Sequence, residues 1–342
     1  MKSSVELKIL VVLATGVVIA LSQYILFPIL LSFFLYLLVS PLMEWLSFIK
    51  MPRILASALI SIAIFGVISL GITFLVPPAS NWIENAPRNF KIIEDKFRTV
   101  KDSLGEINKA AEKAQSMTGM DQKKNMVVTS NLSLAPSIFN LTTNIVISIG
   151  TVLILLFFYL IYFQSFIQKI ERVLYNKRKS LPENPFLLSL KNEVSKYLFT
   201  FLMICFVLGA VMSVVFWLLN LPNPLLWGVM AMFLTFIPYL GHMIGIIIVL
   251  FVSLITFDSY LHIFAPPALY FLITALEGQL ITPIFLGKRL KLNPLLIFLN
   301  ILIWTWLWGA AGALISVPLL VTVKITLEYI PELSKYAILL EK

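Results

Sequence analysis

Four ionisable side chains stand within or at the edges of long apolar stretches: Glu44, Asp258, Glu277 and Lys324. A charge in hydrocarbon costs several kcal/mol, so such residues mark ion paths, proton relays or ligand contacts unless an interface or a partner relieves them. Asp258 and Lys324 fit interfacial anchoring, and Glu44, beside Trp45, lies within reach of headgroups. Glu277 is deeper. It sits in Leu276-Glu277-Gly278-Gln279-Leu280-Ile281-Thr282-Pro283, where Gln279 adds polarity and Pro283 deprives the Gln279 carbonyl of its helical donor. A polar side chain beside a freed carbonyl suits backbone that lines a cavity or faces protein. The competing reading is a hydrogen-bonded clamp between helices.

A second irregularity is Phe236-Ile237-Pro238-Tyr239-Leu240-Gly241-His242, with Gly245 one turn on. Pro238 is expected to free the Leu234 carbonyl, and Gly241 and Gly245 permit a break or a close helix approach. His242 titrates near neutral pH if it meets a cavity, and otherwise caps or anchors a helix end. Cys205, the single cysteine, lies in an apolar run and reads as a packing residue. Two histidines without a Cys/His cluster make no structural zinc site. There is no HExxH, no glycine-rich phosphate loop and no paired membrane aspartates, so neither an enzyme nor a cofactor is expected.

The elements that must hold these residues are set by composition. Of 342 residues, 59% are hydrophobic and 13% charged, and the mean hydropathy is +0.94. A water-soluble fold cannot hide that much apolar surface. A helix needs about 20 apolar residues to cross a bilayer core. Suitable stretches are 9–27, 28–48, 54–79, 137–163, 197–219, 225–240, 243–257, 260–285 and 295–329. The sixth and seventh are short for spans and read equally as a re-entrant pair. The expectation is an all-α polytopic bundle of about eight transmembrane helices, some re-entrant or broken. The last stretch would be roughly 50 Å long if straight, so it must tilt, kink or turn back, with Gly309, Gly312 and Pro318 marking the place.

The net charge of +9 comes from 26 Lys and Arg residues set mostly in short connections, not on one face with interleaved aromatics. This is a topology signal and not a nucleic-acid surface. Placing the N-terminus in the cytoplasm puts Lys50, Arg53, the cluster 169–196 and Lys288, Arg289 and Lys291 inside. The outer connections near Gln23, Leu221-Pro222-Asn223 and Asp258-Ser259 then carry no base. The first stretch reads as a retained anchor in a multi-pass protein of a bacterial inner (cytoplasmic) membrane.

Residues 80–135 separate an N-terminal helical part, 1–79, from a C-terminal part, 136–342, and fall on the outer side. Their nine basic and seven acidic residues nearly cancel. Phe90, Ile93, Phe97, Val100, Leu104 and Ile107, continued by Ala111 and Ala114, recur at spacings of three and four. That is an amphipathic helix with a coiled-coil-like seam, packed either on the protein's own membrane part or on neighbouring protomers. Residues 166–194 read as a second amphipathic piece along the cytoplasmic interface.

Three blocks, FIPYLG from Phe236, LEGQLITPIFLGKRLKLNPL from Leu276 and WTWLWGAAGALISVPLL from Trp304, resemble in order and spacing the autoinducer-2 exporter family, the PerM-type permeases. The resemblance implies a homo-oligomeric permease, a pentamer among the assemblies it allows, that moves small solutes outward. Its motif positions fall here on Pro238, Tyr239, Gly241, Glu277, Gln279, Pro283, Gly287, Asn293, Pro294, Gly309, Gly312 and Pro318. Relatives that exchange sodium or lithium for protons keep antiport open as a second reading. A membrane scaffold acting through the outer seam is a third. In the first reading the polar path for a small molecule or ion runs past Glu277, Gln279, Pro283, Pro238, Tyr239, Gly241 and His242, with Gly245, Gly287, Gly309, Gly312 and Pro318 as hinges or packing points.

Overall fold

The computed structural model describes residues 22–96, 98, 135–175, 186–286, 292–330 and 333–340, with side chains of the third helix from 148 to 173. The described elements are helical throughout. They are α1 (Gln23–Phe48), α2 (Arg53–Glu84), α3 (Ala135–Tyr175), α4 (Phe186–Leu218), α5 (Pro224–Leu234), α6 (Leu240–Thr256) and α7 (Tyr260–Leu276). A π-helical turn (Glu277–Ile281), α8 (Thr282–Leu286), α9 (Pro294–Tyr329), α10 (Ser334–Ala337) and a closing 3₁₀ turn follow. Residues 86–96 are also helical.

Six helical segments are long and apolar enough to cross a membrane, and α5 and α6 are shorter apolar helices. The protein is a multi-pass integral membrane protein. Large side chains such as Ile62, Phe65, Val67 and Leu70 on α2 are exposed, as they must be where lipid replaces water around the bundle.

Several boundaries differ from the sequence expectation. The second span starts at Gln23, so Pro28 lies inside α1. The boundary between 79 and 80 falls within α2, because nothing between Pro78 and Glu84 ends the helix. Residues 166–175 and 186–194 are not a separate interfacial helix. They extend α3 and α4 beyond the length a bilayer needs. Glu171, 5% exposed, holds the start of α4 by accepting the Leu187 N–H at 2.6 Å, so a carboxylate sits where the helix dipole favours it.

Two segments turn back. On the side that carries residues 81–96, here the insertion side, Trp82 packs edge-on against Trp227 at 5.3 Å and Lys96 donates to the carbonyls of Leu254 and Phe257. Both ends of the α5–α6 pair therefore meet the same surface segment. Because the 11 residues of α5 reach only about 17 Å, short of a bilayer core, the pair is a re-entrant hairpin. On the other side, Asn293 N–H bonds the Leu340 carbonyl at 2.9 Å, and Phe186 at the start of α4 meets Tyr329. Both ends of α9 lie there.

Within α9, Trp308 and Gly309 leave helical geometry, with Gly309 at φ 63° and ψ −147°. Asn300 Nδ2 donates to the Ser316 carbonyl at 2.8 Å, whereas 16 residues of straight helix would separate them by about 24 Å. The last apolar stretch is thus a helical hairpin and not one span. Gly309 makes the turn. Gly312 permits the two arms to touch, since a Cβ there would overlap the Trp304 carbonyl. Pro318 lies inside the returning arm and makes no turn.

Candidate functional site

Spacing along α7 puts Tyr270, Thr274 and Glu277 on one face, at i, i+4 and i+7. All three are buried, Glu277 to 3% exposure and Tyr270 to 0%. The Thr274 hydroxyl donates to the Tyr270 carbonyl at 2.8 Å, the usual way such a residue satisfies itself inside a helix. At Glu277 the helix widens into a π turn, a feature frequent at functional sites. Thr282 N–H reaches back five residues to the Glu277 carbonyl, and the Thr282 hydroxyl donates to the Glu277 carboxylate. The next step of that register, from residue 283 to Gly278, is missing because Pro283 has no N–H. The wide turn therefore moves the unpaired step from Gln279 to Gly278.

The tip of the α5–α6 hairpin is built differently from the expectation. The Leu234 carbonyl is not free: Ile237 N–H bonds it at 2.9 Å. Leu240 N–H then bonds the Pro238 carbonyl at 2.7 Å across Tyr239, which adopts φ 61° and ψ −58°. That is the rare, strained form of the γ-turn. Pro238 supplies the carbonyl without needing a donor of its own, and Gly241 lets the returning chain pass over the Leu234 carbonyl, where any Cβ would collide. Tyr239 leaves 64% of its surface exposed. A strained non-glycine residue at an exposed tip is the kind of outlier that accompanies function.

These two irregularities share a level. α6 and α7 run antiparallel through the short connection Phe257–Ser259, and Gly245 lies so close to Tyr270 that a Cβ would overlap its hydroxyl. From that contact, one turn along each helix brings His242 level with Thr274. About two turns bring Pro238 level with Glu277. The His242 Nε2 and the Tyr270 hydroxyl are buried without a hydrogen-bond partner among the described residues. Such groups are rare in native interiors and call for an explanation such as an exchangeable ligand or a transient partner. The arrangement offers a buried acid and a phenol on one face of α7 and an imidazole on the adjoining α6. It can donate, accept and hold a proton, but among the described residues no group of three or more His, Cys, Asp or Glu could hold a metal ion.

The other expected positions do not join this arrangement. Gln279 and Pro283 are exposed on the far face of the π turn. Gly309, Gly312 and Pro318 belong to the α9 hairpin, and Gly287 lies outside the described residues. Of the outer seam, Phe90 packs edge-on against Phe251 of α6 at 5.1 Å and Ile93 is half-buried; Phe97, Val100, Leu104 and Ile107 lie outside the described residues. Glu44 pairs with Lys191 at 3.0 Å. Lys324 is no interfacial anchor: it is 1% exposed and meets Glu328 at 3.4 Å. Asp258 is exposed and pairs with Lys96 at 2.9 Å.

Sequence reasoning missed Tyr270 and Thr274, although their spacing to Glu277 was available. It also missed Gly209 and Gly228, whose backbones touch where α4 crosses α5.

A family model described as "AI-2E family transporter" matches residues 7–332. Among similar proteins, "Putative transport protein YhhT" of Escherichia coli K12 is 24% identical over 339 residues, 98% of this chain and 93% of that one. "AI-2 transport protein TqsA" of the same strain is 24% identical over 340 residues, covering 99% and 95%. "Putative permease PerM", also of that strain, is 31% identical over 81 residues, 24% and 23% of the two chains.

Proposed function

The chain belongs to the AI-2E transporter family, and from that premise we propose that this membrane transporter exports small polar solutes, autoinducer-2-like molecules among them, across a bacterial inner membrane. The observation that carries the reading is the coincidence of level between the buried Glu277 on its π turn and the strained tip at Tyr239. A broken, re-entrant hairpin with its tip at the level of a buried acid fits the way membrane transporters commonly build their cargo sites. The name of the relative TqsA supports the solute class. Positive charge in the short connections on the Arg53 and Lys191 side supports a cytoplasmic N-terminus. The exposed apolar faces and the outer insertion suit a homo-oligomer, a pentamer among the possible sizes.

In this reading Glu277 is the polar or protonatable contact, with the Thr282 hydroxyl bonded to its carboxylate. His242 and the Tyr270 hydroxyl are the donors that a polar solute engages as it passes. The α5–α6 tip gates access from the insertion side.

Solute flux in proteoliposomes tests this, with autoinducer-2 and small polar metabolites, with and without a pH gradient. Wild-type flux should be saturable. Glu277→Gln should lower it about ten- to a hundredfold, the effect of losing one buried charge-assisted contact, with folding and oligomer size intact. Vesicle pH that responds to sodium or lithium without any organic solute would replace solute export with antiport. Function lost on deleting 90–114 but unaffected by Glu277→Gln would replace transport with the scaffold reading.

A further inference from the structure

On the side opposite the insertion, four helices close around a polar cavity of about 110 Å³. Tyr36, Ser40 and Glu44 come from α1, Arg53 opens α2, Gln164 comes from α3 and Lys191 from α4. The charges are unevenly offset. Lys191 is buried, with 6% of its side chain exposed, while 63% of the side chain of its partner Glu44 is open. Lys191 also donates to the neutral Asn192 at 2.9 Å. Arg53 donates to the Gln164 amide oxygen, again a neutral partner, and no described carboxylate forms an ion pair with it. Two cations and one loosely held carboxylate thus line a small space together with the hydroxyls of Tyr36, Ser40 and Ser47.

A buried cation whose counter-charge sits mostly in water is poorly compensated. A guanidinium and an ammonium that line one cavity, with the hydrogen-bonded Tyr36 and Ser40 hydroxyls beside them, suit the charge of a carboxylate or phosphate group. A cavity of about 110 Å³ admits such a group, since one water needs only about 10–15 Å³ of the same measure.

We propose that this cavity is a binding site for a small oxyanion, carboxylate or phosphate. Arg53 and Lys191 hold it, the Tyr36 and Ser40 hydroxyls orient it, and Glu44 is the internal carboxylate that it displaces. Binding in this cavity does not depend on transport past Glu277. The oxyanion has two possible sources, a free cytoplasmic anion or the headgroup of an anionic lipid. Lys191 also lines a neighbouring apolar cavity of about 280 Å³ with Phe33, Phe163 and Leu190, where a lipid chain would continue from its headgroup.

The test uses the full chain in nanodiscs of neutral lipid, titrated with inorganic phosphate and separately with acetate. Calorimetry and the thermal midpoint are the readouts, and parallel nanodiscs contain phosphatidylglycerol. Saturable binding of phosphate or acetate in neutral lipid assigns a free anion. Stabilisation by phosphatidylglycerol alone assigns a headgroup. In either case Arg53→Gln should weaken the response about tenfold, as expected for one charge-assisted bidentate contact, and Glu44→Gln should strengthen it by removing the competitor. Arg53→Lys keeps the charge without the fork and covers the case in which Arg53→Gln does not fold; it should fall between wild type and Arg53→Gln. A folded wild type that responds to none of the three, or an unchanged response in both Arg53 variants, would overturn the site and leave the Lys191–Glu44 pair as a fastening between α1 and α4.

Discussion

The α5–α6 hairpin and the α9 hairpin enter from opposite sides of the bundle and use one device, a helix interrupted and folded back, but they are fastened differently. In α9 the turn is made by a glycine at positive φ, and the arms are joined by the Asn300–Ser316 hydrogen bond, with Trp304 and Trp308 meeting edge-on at 4.8 Å on the first arm. Beside its turn Trp308 is 6% exposed and packs edge-on against Phe27, although Gly309 itself lies open. The α5–α6 tip is made by Tyr239, a residue poorly suited to its backbone, and Tyr239 is exposed. Glycine removes strain where the chain has to be fixed, whereas a strained side chain leaves a second conformation within reach. In the proposed reading the α9 fold-back is a strut and the α5–α6 fold-back is the gate.

The largest expected effect is at the strut. Gly312→Val puts side-chain atoms into the Trp304 carbonyl, which as backbone cannot move aside. It should destabilise by about 3 kcal/mol, seen as a lowered thermal midpoint in detergent. Tolerance of valine would mean that the arms of α9 can separate, and the contrast between the hairpins would fail.

At the gate the sign reverses. Tyr239→Gly should stabilise by about 1 kcal/mol by relieving the γ-turn and should slow flux, because the closed tip no longer stores strain. Faster flux with unchanged stability would locate the gate elsewhere.

Asn300→Ala removes the bond across α9 and should cost about 1 kcal/mol while leaving the transport rate of the folded protein unchanged. A large loss of flux would make α9 part of the moving machinery.

The smallest effect concerns the outer fastening of the gate. Hydrogen bonding to Lys96, and its charge, hold the Asp258 carboxyl below its ordinary value of 3.8. A carboxylate with a depressed pKa contributes stability above its unfolded pKa and loses it as pH falls through the folded one. The Lys96–Asp258 contact should therefore persist through ordinary carboxylate titration and open only at more acid pH. Carboxyl NMR of Asp258 checks this, and Lys96→Met should return the titration to the ordinary range. Since Asp258 is exposed, the change in global stability should be slight.

Much of this was legible in the residues. Apolar stretches of the right length announced membrane helices, the coincidence of Glu277 with Pro283 announced an irregular turn, and Gly309 and Gly312 marked where the last stretch could not stay straight. Both segments that fold back were flagged because proline and glycine act locally, through φ and a missing N–H. Pairing was less legible. Pro238 pointed to a free Leu234 carbonyl, but a neighbour three residues on closes it. Lys324, within the last apolar stretch, fits an interfacial anchor by sequence, yet it is buried.

Solvent, helices and the places where the helices break follow from residues close together in the chain. Only the tertiary structure decided that the final stretch is a hairpin, that Tyr270 and Thr274 extend the face of Glu277, and that Tyr36, Glu44, Arg53, Gln164 and Lys191 share one cavity. Hydropathy is the same for a helix that crosses and one that returns. Electrostatic fields act across space between side chains that the sequence holds more than a hundred residues apart.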